Sequence, residues 1–398
     1  MALLLCAMLI LFLLCTSHEV SGLISLSSPL SADIGQYVMK VAIGTPPQEF
    51  SLILDTGSDL TWIQCSPCPG CFNQPDPFFE PTASSTFSPV PCTNSFCRAF
   101  LEDDRSFMCN QSNTGCNYQY GYEDGSLIRG ELAYDVVSLP SEDSASVALS
   151  TVIGCIHNET MPDFANADGI VGLSRGLLSL PSQFSNHSVA HVFSYCLVDI
   201  LSRGSISSRI TFGEEARNPA AALTPMIFVP GSDFYYVEVE GISIGGRRIG
   251  VPTSTFHPDN ADLRGVYLDS GTTYSQWRTE AFTPMLAAIR QQITYQVVDA
   301  ATTHALGVDL CFDVSNELES NIILPDMVVH MRNVEFEIPA LPNLFRILDG
   351  YACLLMTRST SGISLIGAAQ QQNKLIVYDV ENKQIGFLAA QCGTAGPQ

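Results

Sequence analysis

The chain has 398 residues, room for two or three compact units at roughly 100–200 residues each, and it is 46% apolar and 15% charged, which excludes a disordered or fibrous polypeptide. Forty acidic against 18 basic residues give a formal charge of −22, which repels phosphate backbones and anionic lipid and so excludes nucleic acid and a membrane surface as partners. With Lys40, Lys374 and Lys383 as its only lysines, the chain also acquires little positive self-repulsion when acid neutralises its carboxylates.

In chain order, residues 3–14 form an apolar run well short of the ~20 residues that span a bilayer. Small residues at Ser17, Ser21 and Gly22 follow, so residues 1–22 are read as a secretory signal peptide. Residues 23–35 are then a short prosegment or N-terminal extension. No second run of spanning length follows and residues 393–398 are polar, which predicts no membrane anchor. The mature protein is expected outside the cytosol, in the extracellular space or apoplast, with the vacuole as the other destination.

Residues 37–43 alternate, Gly44-Thr45-Pro46-Pro47 turns the chain, and residues 50–54 read as a second strand. Similar runs occur at 234–239, 242–244 and 375–380, while 181–184 and 280–292 are the better helix candidates. The class is mostly β. Residues 65–116 hold seven cysteines among Pro, Ser and Asn, and read as a stapled insert with little core of its own. An Ala- and Pro-rich stretch at 214–231 is taken as the linker between an N-terminal lobe, 36–213, and a C-terminal lobe, 232–398. Twelve cysteines remain after the leader. The cluster Cys65-x-x-Cys68-x-x-Cys71 has zinc-like spacing, but in an exported chain disulfides are expected, and spacing does not decide their pairing. Sequons at Asn110, Asn158 and Asn186 predict exposed, glycosylated positions.

The halves repeat. Residues 50–54 lead into Asp55-Thr56-Gly57-Ser58, and Val266-Tyr267-Leu268 lead into Asp269-Ser270-Gly271-Thr272. Gly169-Ile170-Val171-Gly172 is echoed by Ser364-Leu365-Ile366-Gly367. At average residue usage, one such tetrad is expected in roughly one chain of this length in forty, and two in on the order of a few in ten thousand. Chance is a poor account. An Asp at the end of a buried strand, followed by a Gly turn, is held rigidly where hydroxyls and N–H groups can bond it. Two such loops facing one another bring carboxylates together, and charges that close share one proton. The ionised member can take a proton from a water while the protonated member donates to a scissile carbonyl, with no metal or cofactor. Gly172-Leu-Ser174-Arg-Gly176 fits a serine-hydrolase elbow, but the alternating strands and helices that motif needs are missing. The histidines lack metal-binding spacing.

At these residues the chain resembles the pepsin family of aspartic endopeptidases. The cysteine pattern and Asp55-Thr-Gly-Ser-Asp-Leu-Thr-Trp62 are similar to the nepenthesin-like proteases of plants, as are the motifs at 120–126, 179–183, 193–196, 309–312 and 370–379. The resemblance implies a bilobal β fold with pseudo-twofold lobes and a cleft holding Asp55 and Asp269 as catalytic residues. It implies that Thr56 and Ser270 crosslink the loops, that Ser58 and Thr272 bond the outer carboxylate oxygens, and that Tyr122 sits on a flap with Trp62 meeting its hydroxyl. It also implies the pairs Cys65–Cys68, Cys71–Cys155, Cys92–Cys116, Cys97–Cys109, Cys196–Cys392 and Cys311–Cys353. A monomer acting on polypeptides at acid pH is expected, with apolar residues preferred beside the scissile bond. Three departures stand out: the short 23–35 segment in place of a substantial prosegment, Glu123 where the flap usually has Gly, and Ala368-Ala369 after the second apolar-Gly turn. Some relatives of this fold inhibit microbial glycanases instead; the intact Asp pair and Tyr122 favour the enzyme.

Overall fold

Alternation builds the outer strands of the structure, a computed structural model that describes residues 24–33, 35–99, 106–109, 114–139, 147–161, 166–201, 207–258 and 265–393. The expected signal peptide and the sequon at Asn110 lie outside the described residues. In Leu26–Asp33, Leu26, Ser28, Leu30 and Ala32 point inward and their neighbours outward. The strand Gln48–Asp55 behaves differently: its last six residues are all buried, because it is covered on both faces. Burying a side chain such as Leu52 or Leu54 completely contributes about 1.5–3 kcal/mol, so the strand carrying Asp55 is among the most firmly held.

The repeat seen in the sequence is a repeat of topology. Gln48–Asp55 runs parallel to Gly169–Gly172, with Asp55 opposite Gly172. In the second half Val266–Leu268 runs parallel to Ser364–Ile366, with Leu268 opposite Ile366. Each apolar-apolar-Gly turn is thus the partner of a strand that ends in Asp. Glycine is required at both turns, since a Cβ on Gly172 would lie 2.3 Å from the Asp59 carbonyl carbon, and one on Gly367 would lie 2.6 Å from that of Tyr274.

A sheet shared by the halves holds them together. Its strands run in the order Leu26–Asp33, Ser207–Phe212, Val192–Cys196, Lys374–Asp379, Gln384–Ala389 and Ala222–Ile227. Two stretches thereby differ from expectation. Residues 26–33, read as an extension ahead of the first strand, form an edge of this sheet. Residues 214–231, read as a linker, supply Ala222–Ile227 to its other end. Ion pairs reinforce the junction: Arg217 bonds Asp379 at 2.8 Å and Glu381 at 2.6 Å, and Arg346 bonds Asp199 at 2.8 Å.

The disulfides correct four expected pairings. The structure joins Cys65 to Cys155, Cys68 to Cys71 and Cys97 to Cys116, in place of Cys65–Cys68, Cys71–Cys155, Cys92–Cys116 and Cys97–Cys109. The cause is strand register. Trp62–Gln64 pairs parallel with Ala148–Glu159, Ile63 opposite Cys155, which brings the Cys65 Cα within 5.4 Å of the Cys155 Cα. Cys68 and Cys71 then close their own turn at 5.5 Å. Cys196–Cys392 ties the chain's end to the first half, and Cys311–Cys353 staples two paired strands in the second. Among the described residues no helix is long and apolar enough to cross a membrane.

Candidate active site

Asp55 and Asp269 meet where the two repeated loops face each other. Each is nearly buried, at 7% and 6% exposure. The Gly57 N–H donates to Asp55 Oδ1 at 2.8 Å and Ser58 Oγ donates to Asp55 Oδ2. The second loop repeats this, with the Gly271 N–H on Asp269 Oδ1 at 2.8 Å and Thr272 Oγ1 on Asp269 Oδ2 at 2.7 Å. The glycines also set the separation of the loops. A Cβ on Gly57 would lie 2.8 Å from the Asp269 carboxyl carbon, and one on Gly271 would lie 2.2 Å from Asp55 Oδ1. Each loop's glycine is pressed against the other loop's acid, so no side chain fits at either position.

Below the acids the hydroxyls cross over. Thr56 Oγ1 donates to the Leu268 carbonyl at 3.2 Å and accepts the Ser270 N–H at 3.0 Å. Ser270 Oγ donates to the Leu54 carbonyl at 2.8 Å and accepts the Thr56 N–H at 3.1 Å. These four buried bonds satisfy backbone groups that a loop tip would otherwise leave orphaned, each at about 1 kcal/mol net and more if broken.

Electrostatics follow from this closeness. Burial, then the charge of Asp269, push the Asp55 carboxyl above the ordinary carboxylate range, against the hydrogen bonds from Ser58 and Gly57. Burial also raises Asp269, but the bonds from Thr272 and Gly271 and one shared with Asp55 pull it back. Carboxylates this close and this buried cannot both ionise, so the two acids hold one proton as a pair.

The flap lies above. Strands Cys116–Gly121 and Leu127–Ser138 form a hairpin, and the Trp62 indole N–H donates to the Tyr122 hydroxyl at 2.6 Å. Ala368 and Ala369, the unusual pair, donate backbone N–H groups to the Thr272 and Thr273 carbonyls at 2.8 and 2.9 Å. Their bond is a main-chain one and their side chains are buried, so small residues fit.

A layer beneath the loops holds polar residues outside the expected site. The Tyr195 hydroxyl bonds Gln371 Oε1 at 2.5 Å and the Tyr378 hydroxyl at 2.7 Å, and Gln371 Nε2 donates to the Ile366 carbonyl at 2.7 Å. Tyr195 and Tyr378 come from the two central strands of the shared sheet, so this network joins that sheet to the loops. All three residues lie in motifs at 193–196 and 370–379, and that was the available signal. Asn158 and Asn186 are exposed. Ser174 is buried, its hydroxyl accepting the Gly176 N–H at 3.2 Å. Cys65, Cys68 and Cys71 are all in disulfides, and among the described residues no His, Cys, Asp or Glu cluster could hold a metal.

Comparison with known proteins gives this geometry a family. The chain is 36% identical over 369 residues to aspartic proteinase nepenthesin-1 of Nepenthes gracilis, covering 91% of this chain and 79% of the relative. It is 37% identical to aspartyl protease family protein 2 of Arabidopsis thaliana, covering 92% and 73%. The chain belongs to the nepenthesin-like aspartic proteases. Two family models described as xylanase inhibitor N-terminal and C-terminal match residues 37–214 and 234–389. Among solved structures, basic 7S globulin from soybean superimposes with a TM-score of 0.73 at 19% identity, covering 94% of this chain and 99% of that one. The structure titled edgp gives 0.72 at 22% identity, covering 92% and 95%. At those identities the likeness establishes the pepsin-like bilobal fold alone.

Proposed function

We propose that this nepenthesin-like protein is an exported aspartic endopeptidase, active in acid as a monomer, with Asp55 and Asp269 as its catalytic pair. The observation that carries the reading is the interlocked dyad, with each acid held by its own loop and crowded by the other loop's glycine. The ionised member of the pair takes a proton from a water between the acids. The protonated member donates its proton to the scissile carbonyl oxygen as that water attacks. The resulting gem-diol collapses as the acid that took the water's proton passes it to the nitrogen, the other acid takes a proton back from a gem-diol hydroxyl, and the C–N bond breaks. Tyr122, held by Trp62, covers a polypeptide lying across the acids. The disulfides support passage through an oxidising compartment, and exposed Asn158 and Asn186 suit glycosylation there.

A second reading, a glycanase-inhibitor-like binding protein, draws on the wording of the two matching family models. Digestion of a denatured protein across pH 2–7 decides between them. Cleavage that pepstatin blocks and that both Asp55→Asn and Asp269→Asn abolish supports the protease. Glycanase inhibition without any proteolysis supports the other.

A further inference from the structure

The turn Gly172–Gly176 is where the first half grips the entry to the second. On one side it holds the Asp55 loop: the Leu173 N–H donates to the Asp55 carbonyl at 2.8 Å and the Ser174 N–H to the Ser58 carbonyl at 2.9 Å. On the other side Arg175 takes three successive carbonyls. Its main-chain N–H donates to that of Asp233 at 3.0 Å, its Nη2 to that of Ser232 at 2.7 Å and its Nε to that of Phe234 at 3.2 Å. The Tyr235 hydroxyl adds a fourth bond, to the Leu173 carbonyl at 2.7 Å.

The gripped segment leads directly to the second acid. Tyr235–Val237 pairs antiparallel with Val266–Leu268, Tyr235 opposite Leu268, and Asp269 follows Leu268. A chain of hydrogen bonds and paired strands therefore runs from Asp55 through Arg175 to Asp269, alongside the hydroxyl crosslinks of Thr56 and Ser270. A guanidinium suits the place. It lies 4.3 Å over the Phe228 ring while its planar fork reaches the carbonyls on either side of Asp233. A lysine there would keep the charge and offer no such fork.

We infer that Arg175 is a positioning residue that fixes the separation of Asp55 and Asp269 by clamping the 232–235 segment to the turn behind the Asp55 loop. It acts through the two strands that end in the acids. The inference rests on the protease reading and adds a residue to it. Loosening the clamp has two consequences. A small misplacement of reacting groups lowers turnover more than substrate binding. Carboxylates set further apart also repel less, so the two apparent pKa values of the pair approach one another and the pH–rate bell narrows from both sides. Loss of a positive charge alone would instead move both limbs upward together. Tyr122, Tyr195, Tyr267 and Tyr378 around the acids are pushed up by burial and stay neutral across the acid range, and Glu123 is common to every variant.

The test measures kcat and KM on one peptide across pH for wild type, Arg175→Lys, Arg175→Met and Arg217→Ala, the last removing another clasp between the halves. In R175K and R175M kcat falls on the order of ten- to a hundredfold while KM stays within about threefold, and the limbs of the bell draw together by on the order of one pH unit. R217A lowers stability and leaves the width of the bell unchanged. Unchanged width in R175K, or equal narrowing in R217A, overturns the positioning role and leaves the protease reading intact. So do limbs that move together in R175M and stay in place in R175K, the mark of charge alone. Should R175M not fold, R175K decides. Should wild type cleave nothing, the protease reading fails, and titration of the Asp55 and Asp269 carboxyl carbons by NMR in wild type and R175K decides the clamp. Titrations that draw together in R175K uphold it, and an unchanged separation overturns it.

Discussion

The two halves supply the same loop and differ in what surrounds it. In each, a buried strand ends in Asp, a glycine N–H and a hydroxyl hold the carboxylate, and an apolar-Gly turn packs alongside. The first half adds the flap and three disulfides among its described residues, while the second adds a packed aromatic cluster of Phe234, Tyr236 and Tyr267. The tryptophans show the contrast best. Trp62 donates its indole N–H to the flap tyrosine, whereas Trp277 is fully buried edge-on to Phe256, 6.2 Å away, and its N–H has no partner among the described residues. Symmetry repeats the loop that holds the acid, and asymmetry gives the tyrosine-bearing hairpin to one half alone.

The comparison breaks first at the acids. Asp55→Asn and Asp269→Asn should each lower kcat/KM on the order of a thousandfold or more, equally in both halves. A variant of either that kept one-tenth of the activity on a peptide substrate would show that the halves are not chemical equals. The tryptophans come next. Trp62→Phe removes the bond to Tyr122 and should cost about 1 kcal/mol, or roughly fivefold in kcat/KM. Trp277→Phe should lower thermal stability by about 1–2 kcal/mol through lost packing and leave kcat/KM within roughly twofold. Equal kinetic losses in both would erase the distinction.

A smaller effect concerns pH and stability. Acids raised in the folded state bind protons more tightly there than in the unfolded chain, so their stabilising contribution is complete below the unfolded value and is lost as pH rises through the folded one. Asp55 and Asp269 both act in this direction. The first half holds a third such group: Asp168, fully buried and accepting the Ser51 N–H at 2.7 Å, is pushed up to about 6, mainly by burial. The midpoint of thermal unfolding should therefore fall on the order of 5 °C between pH 4 and 7. Asp55→Asn and Asp168→Asn should each flatten that slope, and a midpoint that climbs steadily with pH in wild type would contradict the assignment. At the surface, Arg217→Ala should cost about 1 kcal/mol by freeing Asp379 and Glu381 at the junction of the halves, measured by denaturant unfolding.

Much of the architecture was legible because the repeat carries chemistry and topology together. Asp55, Thr56, Gly57 and their counterparts could be located because a buried strand into a glycine turn has few sequence forms. The strand Leu26–Asp33 was hidden by its composition, since Ser27, Ser28 and Pro29 read as a connector and Ser28 fills an inward position that an apolar residue usually marks. The cysteine pairs were illegible for a geometric reason: Cys65, Cys68 and Cys71 lie within seven residues, and only the register of Ile63 on Cys155 decides which one reaches across. Tyr195, Tyr378 and Gln371 are far apart in sequence and converge through the shared sheet, a contact that no local pattern encodes.

The pH dependence of kcat/KM on one peptide, from pH 2 to 9, tests most directly whether two acids sharing a proton perform the hydrolysis. A bell with both limbs on the acid side of neutrality, collapsing in Asp55→Asn, is the result expected here. Turnover that increases through pH 8, or survives that substitution, would contradict it.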